Sequence, residues 1–220
     1  MSQKTNHPNV LRVCFSAAVC VGIAVLLGCS SGVKRSSKAM SSAESLKREC
    51  ISLQGQIDKT IQSLDGVVAA KETDLRPPYR KYVSEMKALK SQAKTVASRS
   101  QKLKKTNQKY LDEWEKGMQD VQNPELRKQV TQRRAEASLR FEETKDEFDR
   151  IRADYDLFEK DLREIQVALD NDLNSAGVTS IESVIQQAKK NSEPLKKDID
   201  TIITALNKIT AALSRKPVSD

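Results

Sequence analysis

Between residues 148 and 169 the apolar side chains fall at Phe148, Ile151, Tyr155, Phe158, Leu162, Ile165 and Leu169, in alternating steps of three and four. A repeat of this kind keeps one narrow apolar stripe turned toward a partner helix, which is the seam of a coiled coil. The stripe continues backward through Phe141, Ala137, Val130 and Leu126. A second stripe precedes it, with Tyr79, Tyr82, Met86, Leu89, Ala93, Val96, Leu103, Tyr110, Trp114 and Val121. Gln122, Asn123, Pro124 and Glu125 separate the two. Asn123 suits a helix N-cap, Pro124 the first helical position and Glu125 the first turn, so one helix stops here and another starts. The pattern predicts a long helical hairpin.

Charge supports that pairing. Residues 71–109 carry twelve Lys/Arg and three Asp/Glu, a net +9, while residues 141–172 carry five and twelve, a net −7. Folded antiparallel about residue 123, each residue k lies opposite roughly 247 − k, and the basic arm faces the acidic one. Exposed ion pairs contribute about 0–1 kcal/mol each, so this is a signal for register more than a large stability term.

Composition sets further bounds. Only 38% of the 220 residues are hydrophobic, and many of those lie in the first 28. The remainder can line helix seams but cannot fill a wide core. The net charge of +8 invites a nucleic-acid reading, but the charge is polarised along paired arms and no aromatic platform interleaves it, so no nucleic-acid partner is expected. The single histidine, His7, and the cysteines Cys14 and Cys20 fall in the leader. No metal spacing, nucleophile–histidine pairing or phosphate loop is present, so no catalytic residue, cofactor, metal or small-molecule substrate is expected, and the chain does not read as an enzyme. Cys50 occupies a seam position and reads either as buried core or as an intermolecular disulfide partner.

Residues 1–28 have the form of an export signal. Lys4 and Arg12 precede a fifteen-residue uncharged run from Val13 to Leu27, shorter than the roughly 20 residues a membrane span needs. The run ends Leu26, Leu27, Gly28, Cys29, which resembles a bacterial lipoprotein signal. That resemblance implies cleavage before Cys29, acylation of its thiol and anchoring by lipid. Ser30 and Ser31 follow in place of an aspartate, which implies an outer-membrane, periplasm-facing destination.

The rest of the chain divides as follows. Residues 29–41 read as a flexible polar linker and residues 42–214 as an all-α elongated antiparallel bundle of about four long helices, with a disordered tail at 215–220. The expectation is that one chain closes this bundle as a monomer, the rival being a parallel oligomer through one seam, with helices at roughly 42–72, 79–122, 124–174 and 180–214. Ser41 to Glu44 and Thr179 to Glu182 read as capping boxes. Pro77 and Pro78 place a loop at 73–78, Gly177 suits a left-handed cap, and Pro194 predicts a kink or break near residues 191–193. The outer helices are shorter than the arms, so a two-helix tip at about 108–140 should project beyond them. Its residues Tyr110, Trp114, Met118, Arg127 and Lys128 are candidates for contact with a partner, although Tyr110 and Trp114 also read as seam core.

Asp112-Glu113-Trp114-Glu115, followed by Asn123 and Leu126-Arg127, resembles a bacterial lipoprotein family known as domain of unknown function 2959, with likeness over most of residues 45–213. The resemblance implies an envelope lipoprotein with a long helical hairpin and brings no activity or catalytic residues. The expectation is a lipid-anchored protein of the cell envelope with a structural, scaffolding or protein-binding role and an envelope protein as partner. The alternative is a periplasmic holding chaperone that uses the hairpin tip.

Overall fold

The computed structural model describes residues 21–214, with side chains from residue 32 onward. Residues 1–20 of the expected leader and the expected tail at 215–220 lie outside the described residues. Four helices follow in order: α1 (Val21–Ala69), α2 (Arg76–Met118), α3 (Pro124–Asn171) and α4 (Ser175–Leu213). Each packs on its neighbours in sequence and α4 closes the ring against α1, giving an all-α bundle of up-down-up-down topology.

The core consists of seams. In α4 the buried residues run from Val178 through Ile181, Ile185, Ala188, Ser192 and Leu195 to Ile209 in unbroken steps of three and four. In α1 the same spacing runs from Ala39 through Ala43, Leu46, Cys50, Leu53 and Ile57 to Val67. Burial takes Cys50 fully out of solvent and pushes its thiol up to about 12, with the Glu49 carboxylate adding to the shift. The thiol therefore stays protonated and is inert toward disulfide exchange while the bundle is folded.

The two arms pair within two residues of the expected register. Lys90 pairs with Glu159 at 3.3 Å, Arg134 with Glu115 at 2.6 Å, and the Tyr79 hydroxyl donates to the Asp170 carboxylate. Asn123 Oδ1 accepts from the backbone N–H groups of Glu125 (3.0 Å) and Leu126 (3.1 Å), as its capping role predicts. The Arg127 guanidinium closes the turn by donating to the Val121 carbonyl at 2.7 Å.

Several boundaries differ from expectation. Residues 32–41 are not a flexible linker but the continuation of α1. Ala39 is fully buried, the Arg35 guanidinium donates to the Glu113 carbonyl at 3.2 Å, and Ser36 returns its hydroxyl to the Gly32 carbonyl. Small seam residues let this polar stretch lie against α2. Ser41 to Glu44 are consequently inside a helix and cap nothing. Pro77 and Pro78 open α2 instead of forming a loop, because the first turn needs no N–H from them. Asp74 accepts from the Arg76 backbone N–H at 3.1 Å and from its guanidinium, fixing the approach.

At the other end Asn174 caps α4, accepting from Gly177 N–H at 2.9 Å, so Thr179 and Ser180 lie within the helix. Gly177 is not left-handed, since no described residue has a positive φ. Its role is close approach: a Cβ there would sit 2.1 Å from the Asp172 carbonyl oxygen. Pro194 does not break α4 either. It lies on the exposed face, as does Lys190, whose carbonyl loses its helical donor there, and the buried seam on either side holds the helix through.

These two positions give opposite expectations. Gly177→Ala should lower stability by about 1–3 kcal/mol, because backbone must move. Pro194→Ala should raise it by up to about 3 kcal/mol, because an interior helical N–H is restored. Urea unfolding followed by circular dichroism checks both.

Candidate functional site

The α2–α3 seam is the loosest of the four, and the cause is one line of α2. Leu75, Tyr82, Leu89, Val96 and Leu103 recur every seven residues and are buried. The companion line of the heptad reads Tyr79, Met86, Ala93, Ser100, Asn107 and Trp114. It is large at both ends and small or polar in the middle. Opposite stand Phe141, Phe148 and Tyr155, which stay only partly buried. The missing volume opens as a groove of about 510 Å³ lined by Ala93, Val96, Ala97, Ser100 and Leu103 on α2 and Phe148, Ile151 and Tyr155 on α3. Lys90 and Glu159 close one end and Leu111 and Phe141 the other.

Two polar atoms in the groove's lining are buried without a hydrogen-bond partner. They are Asn107 Oδ1, on a residue only 4% exposed, and the Tyr155 hydroxyl. Burial, together with the nearby Glu159 and Asp156 carboxylates, raises the Tyr155 phenol well above its usual range, so it remains a proton donor. Lys94 and Lys104 line the rim and form no ion pair with any described residue. Unpaired buried polar groups are rare in folded proteins, so these two mark where packing along the seam is incomplete.

The residues singled out from sequence sit elsewhere, around the hairpin turn. Tyr110 packs edge-on against Trp114 at 5.5 Å and against Phe141 at 6.3 Å, and all three rings are half-buried. Met118 ends α2 half-buried, while Arg127 and Lys128 are exposed. Arg127 is engaged by the Val121 carbonyl. The tip is less bare than expected, because α1 accompanies α2 at least as far as Glu113. From the Asn191–Asp161 contact, α4 covers α3 back to about residue 139, leaving Leu139 61% exposed. Cys29 falls within α1, and the Arg35–Glu113 register places its backbone level with about residue 119. Among the described residues no helix is long and apolar enough to cross a membrane.

A second cleft lies between α1 and α2, lined by Lys34, Lys38, Arg48, Arg99 and Lys102, several serines and Thr106, with no carboxylate among its walls. It was not anticipated, because residues 34–38 were expected to be flexible. The groove was not anticipated either. Its signal was the lapse to Ala93, Ser100 and Asn107 at successive seam positions, which a list of apolar residues passes over.

Fold and geometry together define an elongated antiparallel helical bundle with one incompletely filled seam. The chain belongs to the family described as "Protein of unknown function (DUF2959)", which matches residues 32–213. No curated protein and no solved structure matches it.

If the buried amide in the groove is an uncompensated cost, Asn107→Leu should stabilise the bundle by about 1–2 kcal/mol, since an orphaned acceptor is replaced by apolar volume. The midpoint of urea unfolding measures the gain. An unchanged or lowered midpoint would mean that the amide is satisfied.

Proposed function

We propose that the protein is a lipid-anchored component of the bacterial cell envelope, held at the outer membrane on its periplasmic face through Cys29, with a non-enzymatic scaffolding role. The sequence Leu26, Leu27, Gly28, Cys29 after an uncharged apolar run carries this reading. The geometry is consistent with it in one respect. α1 continues from the neighbourhood of Cys29 along α2, so the anchor end and the hairpin turn share one pole of the rod.

In this reading the long axis stands away from the membrane and α1 is a stiff post. Partner proteins have two surfaces near the anchor. One is the turn, with Trp114, Met118 and Lys128, and the other is the basic cleft of Lys34, Lys38 and Arg99. An acidic protein face complements the cleft. The holding-chaperone alternative asks for open apolar surface at the tip, whereas Tyr110, Trp114 and Phe141 are largely occupied with one another.

Inhibition of lipoprotein signal peptidase by globomycin should accumulate the precursor. Cys29→Ser should abolish labelling by radioactive palmitate and release the protein from the membrane fraction. Continued labelling of the Cys29→Ser protein would refute the anchor.

A further inference from the structure

The face that α1 and α2 turn outward beside the Cys29 end is basic, and its charges stand in a row. Lys34, Lys38, Ser41, Ser45 and Arg48 follow one another in steps of four and three, so they share one face of α1 over about 21 Å. Arg99 and Lys102 flank them from α2, and no carboxylate lines the cleft between the two helices. Arg99 has Glu49 at 3.9 Å, whereas Lys34, Lys38, Arg48 and Lys102 form no ion pair with any described residue. Cations at the α1–α4 interface are matched across helices instead, as in Lys189 with Asp65 and Lys196 with Asp58. Charges strung along a helix at its own period do not converge on one small anion. They suit an acidic helix lying alongside, as flanking charges do in a coiled coil.

The chain itself carries such a helix face. Glu142, Asp146, Asp149 and Asp156 are exposed on α3 and repeat the same spacing, with Ala153 in the remaining place. Lys145 takes up part of the charge of Asp146 and Asp149, at 3.4 and 3.2 Å, while Glu142 and Asp156 have no ion-pair partner among the described residues. Laid parallel, the two stripes match position by position. Lys34 meets Glu142, Lys38 meets Asp146, Ser41 meets Asp149 and Arg48 meets Asp156.

The fold presents this match between copies and not within one. α1 and α3 run in the same direction at diagonal corners of the ring and do not touch. Each stripe lies on the face of its helix away from the buried seam, which passes through Ala39, Ala43 and Leu46 in α1 and through Thr144 and Ile151 in α3. The Gln92–Glu49 contact places Lys38 level with about residue 103 of α2, and the Lys90–Glu159 pair places that level at about residue 146 of α3. The Arg35–Glu113 contact moves the match by about 10 Å. A second copy displaced sideways, with little slide along the axis, therefore meets the first stripe to stripe.

We propose that the basic cleft of α1 and α2 docks the acidic face of α3 from a second copy of this chain, with the long axes parallel. Each bundle is closed by its own four helices, and the contact joins one closed bundle to the next. It pairs two different faces, so it leaves one of each free and extends beyond a dimer. Exposed ion pairs are individually weak, so the contact depends on the whole row and on salt. The proposal names the acidic face of the scaffolding reading above and rests on that reading for its setting. Copies anchored through Cys29 in one membrane stand parallel and at one height, as the contact requires.

The test mixes isotopically light and heavy copies of the full chain in a neutral detergent, which separates failure of the contact from failure of the anchor. Carbodiimide couples lysine amines directly to carboxylates, and light–heavy peptide pairs found by mass spectrometry come only from two different molecules. Low salt should give light–heavy links between residues 34–38 and 142–149. Raising the salt to about 1 M, where charges are screened beyond about 3 Å, should cut their yield about tenfold. Lys34→Glu with Lys38→Glu, or Glu142→Lys with Asp146→Lys, should each leave a monomer by sedimentation velocity. The melting temperature should not change, since all four positions are exposed. Mixing the two reversed proteins should restore the associated mass, because each then presents the charge that the other lacks. Unaltered protein that stays monomeric in low salt, or a mixture of folded reversed variants that fails to associate, would overturn the proposal. Monomers that bind phosphatidylglycerol vesicles through Lys34 and Lys38 would give the cleft to lipid phosphate and overturn it as well.

Discussion

The structure depends on mutual cover between narrow apolar stripes. With 38% hydrophobic residues, a share of them in the first 28, no helix here has apolar surface to spare beyond its seam. Each seam is stable only when neighbouring helices bury it, so helix length and register are set by the partner and not by local propensity. α1 satisfies this from Ala39 to Val67 and α4 from Val178 to Ile209, with buried residues at every third or fourth position. α2 satisfies it with one of its two lines. The other, at Ala93, Ser100 and Asn107, lacks the volume to meet Phe148 and Tyr155, and the bundle parts there instead of collapsing.

The same requirement explains why α1 is longer than its own residues suggest. Ser30 to Met40 contains little that favours a helix, yet Ala39 and Ala43 present small faces to the bundle. Arg35 reaches both the backbone and the carboxylate of Glu113, at 3.2 and 4.0 Å. Packing on a helix already in place offsets weak propensity, as tertiary contact commonly does. The result is a rod whose first helix spans from the level of the hairpin turn to the opposite end, instead of a bundle hanging on a loose tether. The basic cleft between α1 and α2 exists only because of that extension.

Much of the fold was legible from spacing alone. The 3-4 steps from Phe148 to Leu169 and the cap at Asn123 with Pro124 led to the hairpin and its register, and Lys90 with Glu159 falls close to the expected pairing. The family was legible from Asp112-Glu113-Trp114-Glu115 and its setting before the turn. What failed were inferences from punctuation residues taken singly. Pro194 and the two prolines at 77 and 78 were read as breakers, although one sits on a solvated face and the others in a first turn. Gly177 was read as a conformational device, when the need is for room beside Asp172. The groove was hidden for a related reason: absence of bulk at three heptad positions matters only once the facing residues are known.

The architecture rests on α1 being one continuous helix from near Cys29, which brings the Cys29 backbone level with the turn and builds the α1–α2 cleft. Hydrogen exchange of the backbone amides of residues 32–41 in the full chain measures this directly. A continuous α1 gives these residues protection close to that of residues 42–69, with exchange at least about a hundredfold slower than in an unfolded chain. Exchange of residues 32–41 at unfolded-chain rates, with residues 42–69 protected, would show a free linker and contradict it.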